Sequence, residues 1–577
     1  MLVSGVMDMI GVLSLVPFLM AIADIENIQN VWYLERLYEL FGISDIKMFL
    51  ISLAILSFLA LILNHVVRVG STWVTYHVSM RIYHNLNTRL FKYYLEQPYL
   101  FFLNRNSSEM IDKLFTRMNS LVAGLITPAM LIISHAFTGV VVIILLLNED
   151  VYLTSAMITL VLIFYLTIYH FIQHKIASYG EVFADTSPKM IKLATESFGG
   201  IKELKVLGRL EAFINQFTNH SYRYTNTSLK YQVCLLLPGG LIEVMAVGSI
   251  LMVGSYLLYV ESELSRVLPI LGMYLIASRR LQPALANISL QVGQLRYYRP
   301  SIDVVWPDVE AALANETTES DQQSKSLRTV GGECQKIEVV DLTFSYSDTS
   351  GTIIDGLKLE IPALHTVGIV GESGAGKTTL VDLMLGLLDP DKGHIRINDI
   401  SLREYNRQGL YNHIGYVPQN VFLADDTIIR NIAFGCADED IDIEKVHGAA
   451  KLAQIHSFIE TELPGKYETL IGERGVRISG GQRQRLGIAR ALYHDPEILV
   501  LDEATSALDG ITEMEFTQAV RRLARQKTII IIAHRLTTLK DCDEIFFLRN
   551  GKLVDQGSFE SLLKSNPQFA EMANVKS

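Results

Sequence analysis

The sequence predicts two domains of different class: an all-α six-helix transmembrane domain with long cytoplasmic helix extensions, followed by an α/β domain. Three observations predict this. The mean hydropathy is positive, +0.27, and 49% of the 577 residues are apolar, a composition that places part of a long chain in lipid. Long stretches without Lys, Arg, Asp or Glu are confined to the first half. From about residue 336, short β-rich runs alternate with helix-like segments, the mark of an α/β core. The net charge of −11 argues against general nucleic-acid binding. Cys234, Cys334, Cys436 and Cys542 stand far apart with no CxxC pair, so they read as isolated reduced thiols. The apolar start is too long for a signal-peptide core and runs on into further apolar segments.

A helix needs about 20 apolar residues to cross a hydrocarbon core. Six stretches meet this, near 1–23, 47–69, 126–148, 151–172, 236–259 and 264–285. The second, third and fourth are the clearest. The first carries Asp8, and the sixth carries Arg279 and Arg280 near its end. The segments 70–125 and 173–231 are long, polar and rich in Lys and Arg, which places them, both termini and everything after 290 in the cytoplasm. Each is helical in pattern and exceeds 50 residues, so the membrane helices are expected to continue as paired extensions that turn near 99–107 and 207–213, against the C-terminal domain. An inner or plasma membrane location follows. The loop 24–46 carries a short amphipathic helix at 30–41, with Val31, Leu34, Leu37, Tyr38 and Phe41 on one face. On the external side it would lie at the lipid interface or pack as a plain loop helix.

The transmembrane domain is assigned to 1–300, a linker to 301–335 and the second domain to 336–577. Within the linker, 315–326 contains no apolar residue and reads as flexible. In the second domain, GESGAGKTT (371–379) follows the strand-like TVGIV and precedes a helix-like run. That is the context of a phosphate loop, making this an α/β P-loop ATPase domain. The backbone around Gly371, Ser373, Gly374, Gly376 and Thr379 can wrap phosphate oxygens at a helix N-terminus. Lys377 reaches the β- and γ-phosphates of ATP, and Thr378 holds Mg²⁺. The run ILVLDE (498–503) is an apolar strand ending in two carboxylates. Asp502 is expected at the Mg²⁺ and Glu503 at the attacking water.

The segment ISGGQRQR (478–485) resembles the signature of the ABC superfamily. The remaining motifs of that family stand in its order. Gln419 in GYVPQN resembles the glutamine loop that senses Mg²⁺. Ser506-Ala507-Leu508-Asp509 resembles the D-loop, and His534 in IIIIAHRL the switch histidine at the γ-phosphate. Tyr346 in LTFSYSD resembles the aromatic that stacks on adenine. The resemblance implies that Ser479, Gly480, Gly481 and Gln482 act on the ATP held by the phosphate loop of a second copy, and that Asp509 joins that site. A homodimer is therefore expected, with a heterodimer as the alternative. The domain order, the helix extensions and Gly472-Glu473-Arg474-Gly475, similar to the exporter X-loop, imply an exporter. There ATP binding closes the paired ATPase domains and turns the cavity outward, and hydrolysis resets it.

The chain looks most like the lipid-linked oligosaccharide flippases of the PglK type, through LSLVPFLMAIAD in the first span, the external helix and RRLQPALANI in the sixth. The resemblance implies a polyprenyl-pyrophosphate oligosaccharide as substrate, with Arg279 and Arg280 at the pyrophosphate and Arg68 in support. Arg is a bidentate partner of phosphate, and an ionised residue within a span is a functional site by default. Snorkelling near the cytoplasmic end is the alternative for these arginines. The family carries an elbow helix before the first span, whereas this chain opens inside that span, which implies a start that is truncated or set late. Export of another glycolipid, a hydrophobic drug or a peptide is the alternative function. An ATP-gated channel or a regulatory membrane ATPase is a more distant one.

Overall fold

The computed structural model describes residues 46–149, 151–260, 264–322, 336–346, 351–405, 407–472, 475–503, 510–533 and 536–575, with residues 7, 14, 18, 36 and 38. The first span and the helix at 30–41 lie outside the described residues apart from those single positions. The chain divides into two compact units: Met1–Gln97 with Asn104–Asp321, and Pro98–Leu103 with Gln322–Ser577.

Unit 1 is helical. Its long elements are α1 (Ile46–Leu95), α5 (Thr127–Glu149), α6 (Val151–Gly199), α8 (Leu210–Val260) and α9 (Leu264–Gln322). The 50 residues of α1 span roughly 75 Å at 1.5 Å per residue, against a hydrocarbon core of about 30 Å. The helix therefore runs far beyond a bilayer, as the polar pattern of 70–95 predicts. Among the described residues, three helical stretches are long and apolar enough to cross a membrane: Ile46–Leu95, Ser107–Ile144 and Leu210–Tyr256. The stretches 151–172 and 264–285 lie at the starts of α6 and α9. The two expected turning points are seen as α2 (Tyr99–Leu103), which belongs to unit 2, and as the turn at Leu207–Gly208 between α7 (Ile201–Val206) and α8.

Between α2 and α5 the chain alternates α and π geometry: α3 (Ser107–Asp112), a π-turn Lys113–Arg117, α4 (Met118–Leu121) and a second π-turn Val122–Ile126. The first π-turn carries a buried charge network. Lys113 Nζ and Tyr94 OH donate to Asp308 Oδ2 at 2.8 and 2.7 Å, and Arg105 approaches the same oxygen at 3.4 Å. Arg117 donates to Asp112 Oδ2 at 2.8 Å, to Ser301 Oγ at 3.0 Å and to the Ala184 carbonyl at 2.5 Å. Burial alone would raise the Asp308 carboxyl, but the Lys113 and Tyr94 hydrogen bonds hold it below the usual range. The network ties α1, α3, α6 and α9 together through polar groups that could not be left buried and unpaired.

The expected linker is corrected in its first part. Residues 301–322 are not a linker but the end of α9. Ile302, Val305, Val309 and Ala312 recur at three- and four-residue spacing and are buried, so this segment has a helical face to pack. The polar residues 315–322 carry that helix onward from the packed turns before them, with Glu316, Glu319 and Gln322 as its good helix formers.

Unit 2 contains two sheets. An antiparallel sheet has the order β2-β1-β4-β5, formed by β1 (Lys336–Phe344), β2 (Ile354–Pro362), β4 (Lys392–Ile397) and β5 (Ile400–Ser401). The second has the order β10-β9-β3-β8-β7-β6 and is parallel except for its β10–β9 edge. Its strands are β3 (Thr366–Gly371), β6 (Ile414–Val417), β7 (Ile498–Asp502), β8 (Thr528–Ile532), β9 (Glu544–Arg549) and β10 (Lys552–Gly557). β3, β7 and β8 are buried at every position, which explains their unbroken apolar sequences. One core packs the phosphate-loop helix between the two sheets; a second lies under the helices that carry the signature.

Candidate nucleotide site

The site residues leave the carboxyl ends of neighbouring parallel strands. β3 runs into the phosphate loop, β6 toward Gln419, β7 into Asp502–Glu503 and β8 toward Ala533. In open α/β sheets, ligands bind in the crevice beyond these ends.

Glycine is required at two points of the phosphate loop. A Cβ on Gly371 would stand 2.2 Å from the Leu548 carbonyl oxygen, so the close approach of β3 to β9 excludes any side chain there. Gly376 has φ 93 and caps α10 (Lys377–Met384), where a Cβ would also meet Ile354 at 2.8 Å. Ser373, Gly374 and Thr378 are exposed around the loop. Lys377 is buried, and its ammonium donates to the carbonyls of Gly371 and Glu372 at 2.9 and 3.0 Å, which holds the cation across the loop. Tyr346 OH lies 3.1 Å from Thr379 Oγ1, with its ring edge-on to Phe344.

The carboxylate pair is held by β7 and β8. Asp502 is 4% exposed, and its Oδ1 has no hydrogen-bond partner among the described residues. Burial first, then the charges of Glu503 and Asp382, push its carboxyl up to about 6, with Lys377 opposing. Glu503 has φ 49, a left-handed conformation that costs a non-glycine residue of order 1–3 kcal/mol. Its N–H donates to the Ile532 carbonyl at 3.0 Å, which fixes the turn, and its Oε2 accepts from Gln419 Nε2 at 2.5 Å. The strand end thus separates two adjacent carboxylates, one buried and one turned toward Gln419. Asp502 fits a divalent cation, being a buried, acceptor-only oxygen without a partner.

The signature segment caps α11 (Gly480–Leu492). Ser479 Oγ accepts from Gln482 N–H at 3.2 Å, and Gln482 Oε1 accepts from Ser479 N–H at 2.8 Å, a reciprocal capping box. Gly480 and Gly481 therefore sit in the first turn, at the positive end of a 13-residue helix. Ile478, Leu486 and Ile488 belong to one hydrophobic core, whereas Leu380 and Val381 behind the phosphate loop belong to the other.

The structure thus joins Tyr346 to Thr379, Lys377 to its own loop, and Gln419 to Glu503. His534, the D-loop with Asp509, and Glu473–Arg474 lie outside the described residues. Arg68 on α1 and Arg279 on α9 are exposed, and no contact joins them among the described residues; nothing is described of the Arg280 side chain. Sequence reasoning missed Asp382. It is buried on α10, its carboxyl is pushed up to about 6 by burial, and it adds to the field on Asp502 and Tyr416. Its place five residues after Lys377, on a helix behind the loop, was the available signal. The turning point near 99–107 is expected against this domain; within unit 2, Leu100 packs on the core behind the phosphate loop.

Comparison with known proteins agrees with this arrangement. Residues 13–270 match the family described as the ABC transporter transmembrane region, and residues 354–506 that described as ABC transporter. The ATP-dependent lipid A-core flippase of Methylococcus capsulatus is 29% identical over 500 residues, covering 86% of this chain and 80% of that protein. The protein of the same name from Salmonella typhimurium is 27% identical over 520 residues, 89% and 87% of the two chains. The mitochondrial ABC transporter B family member 24 of Arabidopsis thaliana is 43% identical over 220 residues, 38% of this chain and 32% of that protein. In fold, the chain is similar to a bacterial Atm1-family ABC exporter with ATP bound, with a TM-score of 0.79 at 24% identity, covering 100% and 98% of the two chains.

Proposed function

Since the chain belongs to the ABC transporters, with the exporter order of a membrane region followed by an ATPase domain, we propose that it is an ATP-driven flippase for an amphipathic, phosphate-bearing lipid. ATP hydrolysis coupled to transport goes with that family. The observation that carries the reading is the Gln419–Glu503 contact at the strand ends beside the phosphate loop. A carboxylate so placed can orient and deprotonate a water aimed at the γ-phosphate.

In this reading, the loop Gly371–Thr379 binds the phosphates and Lys377 exchanges its carbonyl partners for phosphate oxygens. Tyr346 supports the adenine. Thr378, Gln419 and Asp502 would hold Mg²⁺, which when bound supplies charge neutralisation at the β- and γ-oxygens. His534 and Asp509 complete the site. The signature residues Ser479, Gly480, Gly481 and Gln482 close on the ATP of a second copy. ATP favours the closed pair by its differential affinity for that state, and this drives the cavity from inward- to outward-facing. The tips near 99–107 and 207–213 carry the motion; exposed Val206 and Leu207 suit docking on a second copy. The ATPase domain and both termini face the cytoplasm of an inner or plasma membrane.

Two lipids fit the substrate class. The local resemblance of the first and sixth spans favours a polyprenyl-pyrophosphate oligosaccharide. The names of the relatives that span most of the chain favour a lipid A-core glycolipid. Arg279, Arg280 and Arg68 would meet phosphate in either. Stimulation of ATPase activity by each lipid in proteoliposomes separates them. Stimulation by one, lost in Arg279→Ala with Arg280→Ala while basal ATPase persists, is the expected result. Stimulation by neither would contradict the substrate class.

A further inference from the structure

Gln419 stands on an arm, residues 418–426, that joins β6 to the helix Ile428–Ile432 without forming helix or strand. Among the described residues, Gln419 to Leu423 make no hydrogen bond from backbone to backbone. Side-chain contacts hold this stretch instead. Leu423 is buried in the core beneath α11. Val421 lies so close to Gly487 of α11 that a Cβ there would stand 2.7 Å from Val421 Cγ2. The Phe422 carbonyl accepts from Arg490 at 2.7 Å, in the last turn of the same helix.

Arg490 spends its whole guanidinium on the arm and the helix that follows. Besides Phe422, it donates to the Asn431 carbonyl at 2.8 Å and to Asn431 Oδ1 at 3.2 Å, and it lies 4.5 Å from the centre of the Phe434 ring. Asn431 is fully buried and grips the far end of the arm. Its Oδ1 accepts from Ala424 N–H at 3.0 Å, and its Nδ2 donates to the Ala424 and Thr427 carbonyls, each at 3.0 Å. No carboxylate pairs with Arg490 among the described residues. Burial pulls its guanidinium down to about 10, so it stays charged at neutral pH. A buried cation without a counter-charge is costly, and an apolar side chain would pack there without that cost. What arginine adds is a rigid fork that engages several acceptors at once. We infer that Arg490 is a positioning residue for Gln419: through the Phe422 carbonyl and Asn431 it sets where the arm places Gln419 against Glu503. Its effect on hydrolysis rests on the role proposed above for Gln419; its hold on the arm does not.

The test uses the full chain in nanodiscs, its four cysteines changed to alanine, with a nitroxide on Asn420→Cys beside Gln419. The spectrum without nucleotide reports the arm independently of hydrolysis. Arg490→Lys keeps the charge but not the fork, so the label is expected to move more freely while ATP still binds. Phe434→Leu removes only the ring beside the guanidinium and should loosen the label less; it decides alone if the lysine variant does not assemble. A label unmoved in these variants would overturn the inference, whatever Gln419 does in hydrolysis. In ATPase assays of the unlabelled chain, Arg490→Lys and Gln419→Ala should each lower kcat, the first by up to roughly 10²-fold, the loss that a displacement of about 1 Å can cause. The double variant should fall no further than Gln419→Ala, because the two residues act as a unit. Losses that multiply would overturn the inference, since Arg490 would then act by another route. Normal turnover by Gln419→Ala would contradict the role proposed for Gln419, and the label would still decide whether Arg490 places the arm.

Discussion

Glu503 is turned out of β7 by a left-handed backbone that β8 holds in place, and Gln419 receives its carboxylate. Glu503→Gln is therefore expected to bind ATP while turnover falls by 10²–10⁴-fold, the usual range for loss of a positioned base; steady-state ATPase assays check this. Burial pushes the carboxyls of Asp502 and Asp382 up to about 6. A raised carboxyl favours the protonated folded state, so their contribution to stability is present below the unfolded value near 4 and is lost as pH rises through about 6. Without Mg²⁺ and nucleotide, Asp502→Asn should thus raise stability near pH 7.5 by about 1–2 kcal/mol and change little near pH 4. Thermal unfolding at the two pH values measures it, and an unchanged midpoint at the higher pH would contradict the burial argument. The motif residues were legible because phosphate chemistry requires particular types at fixed spacing. Asp382 was not, because its character comes from what packs over it.

At the scale of elements, the π-turn Lys113–Arg117 orders the helices around buried charges. The Asp112 and Arg117 side chains are each 3% exposed. Asp112→Ala would leave Arg117 buried with only neutral partners and is expected to cost roughly 3–5 kcal/mol, whereas Asp112→Ala paired with Arg117→Met should recover much of it. A double-mutant comparison of thermal midpoints checks this, and equal losses in single and double variants would deny the pair its role. Among the described residues, the spans within Ile46–Leu95, Ser107–Ile144 and Leu210–Tyr256 could be read from apolar length and charge, because lipid imposes both. The π-turns and the charge network could not, since they depend on which residues of α1, α6 and α9 meet. The stretch 315–322 misled by composition: a run without apolar residues lacks a core-facing stripe, yet it continues a helix already nucleated by Ile302, Val305, Val309 and Ala312.

For the whole molecule, the signature and the phosphate loop of one chain pack on different cores, and the proposed reading completes each ATP site with the signature of a second copy. Lys377→Ala and Ser479→Arg should each abolish ATPase activity alone. Co-assembled, they leave one intact phosphate loop facing one intact signature, so activity should return; silence in the mixed dimer would place both halves in one chain. The domain order was legible in the motifs, while the transported lipid was not, because substrate selection rests on helix faces that carry no fixed motif. The most direct measurement is ATP-dependent translocation of labelled polyprenyl-pyrophosphate oligosaccharide and lipid A-core glycolipid in proteoliposomes, wild type beside Glu503→Gln. The account predicts that wild type moves one of them and the variant moves neither. ATP hydrolysis by wild type with both lipids left in their original leaflet would contradict it.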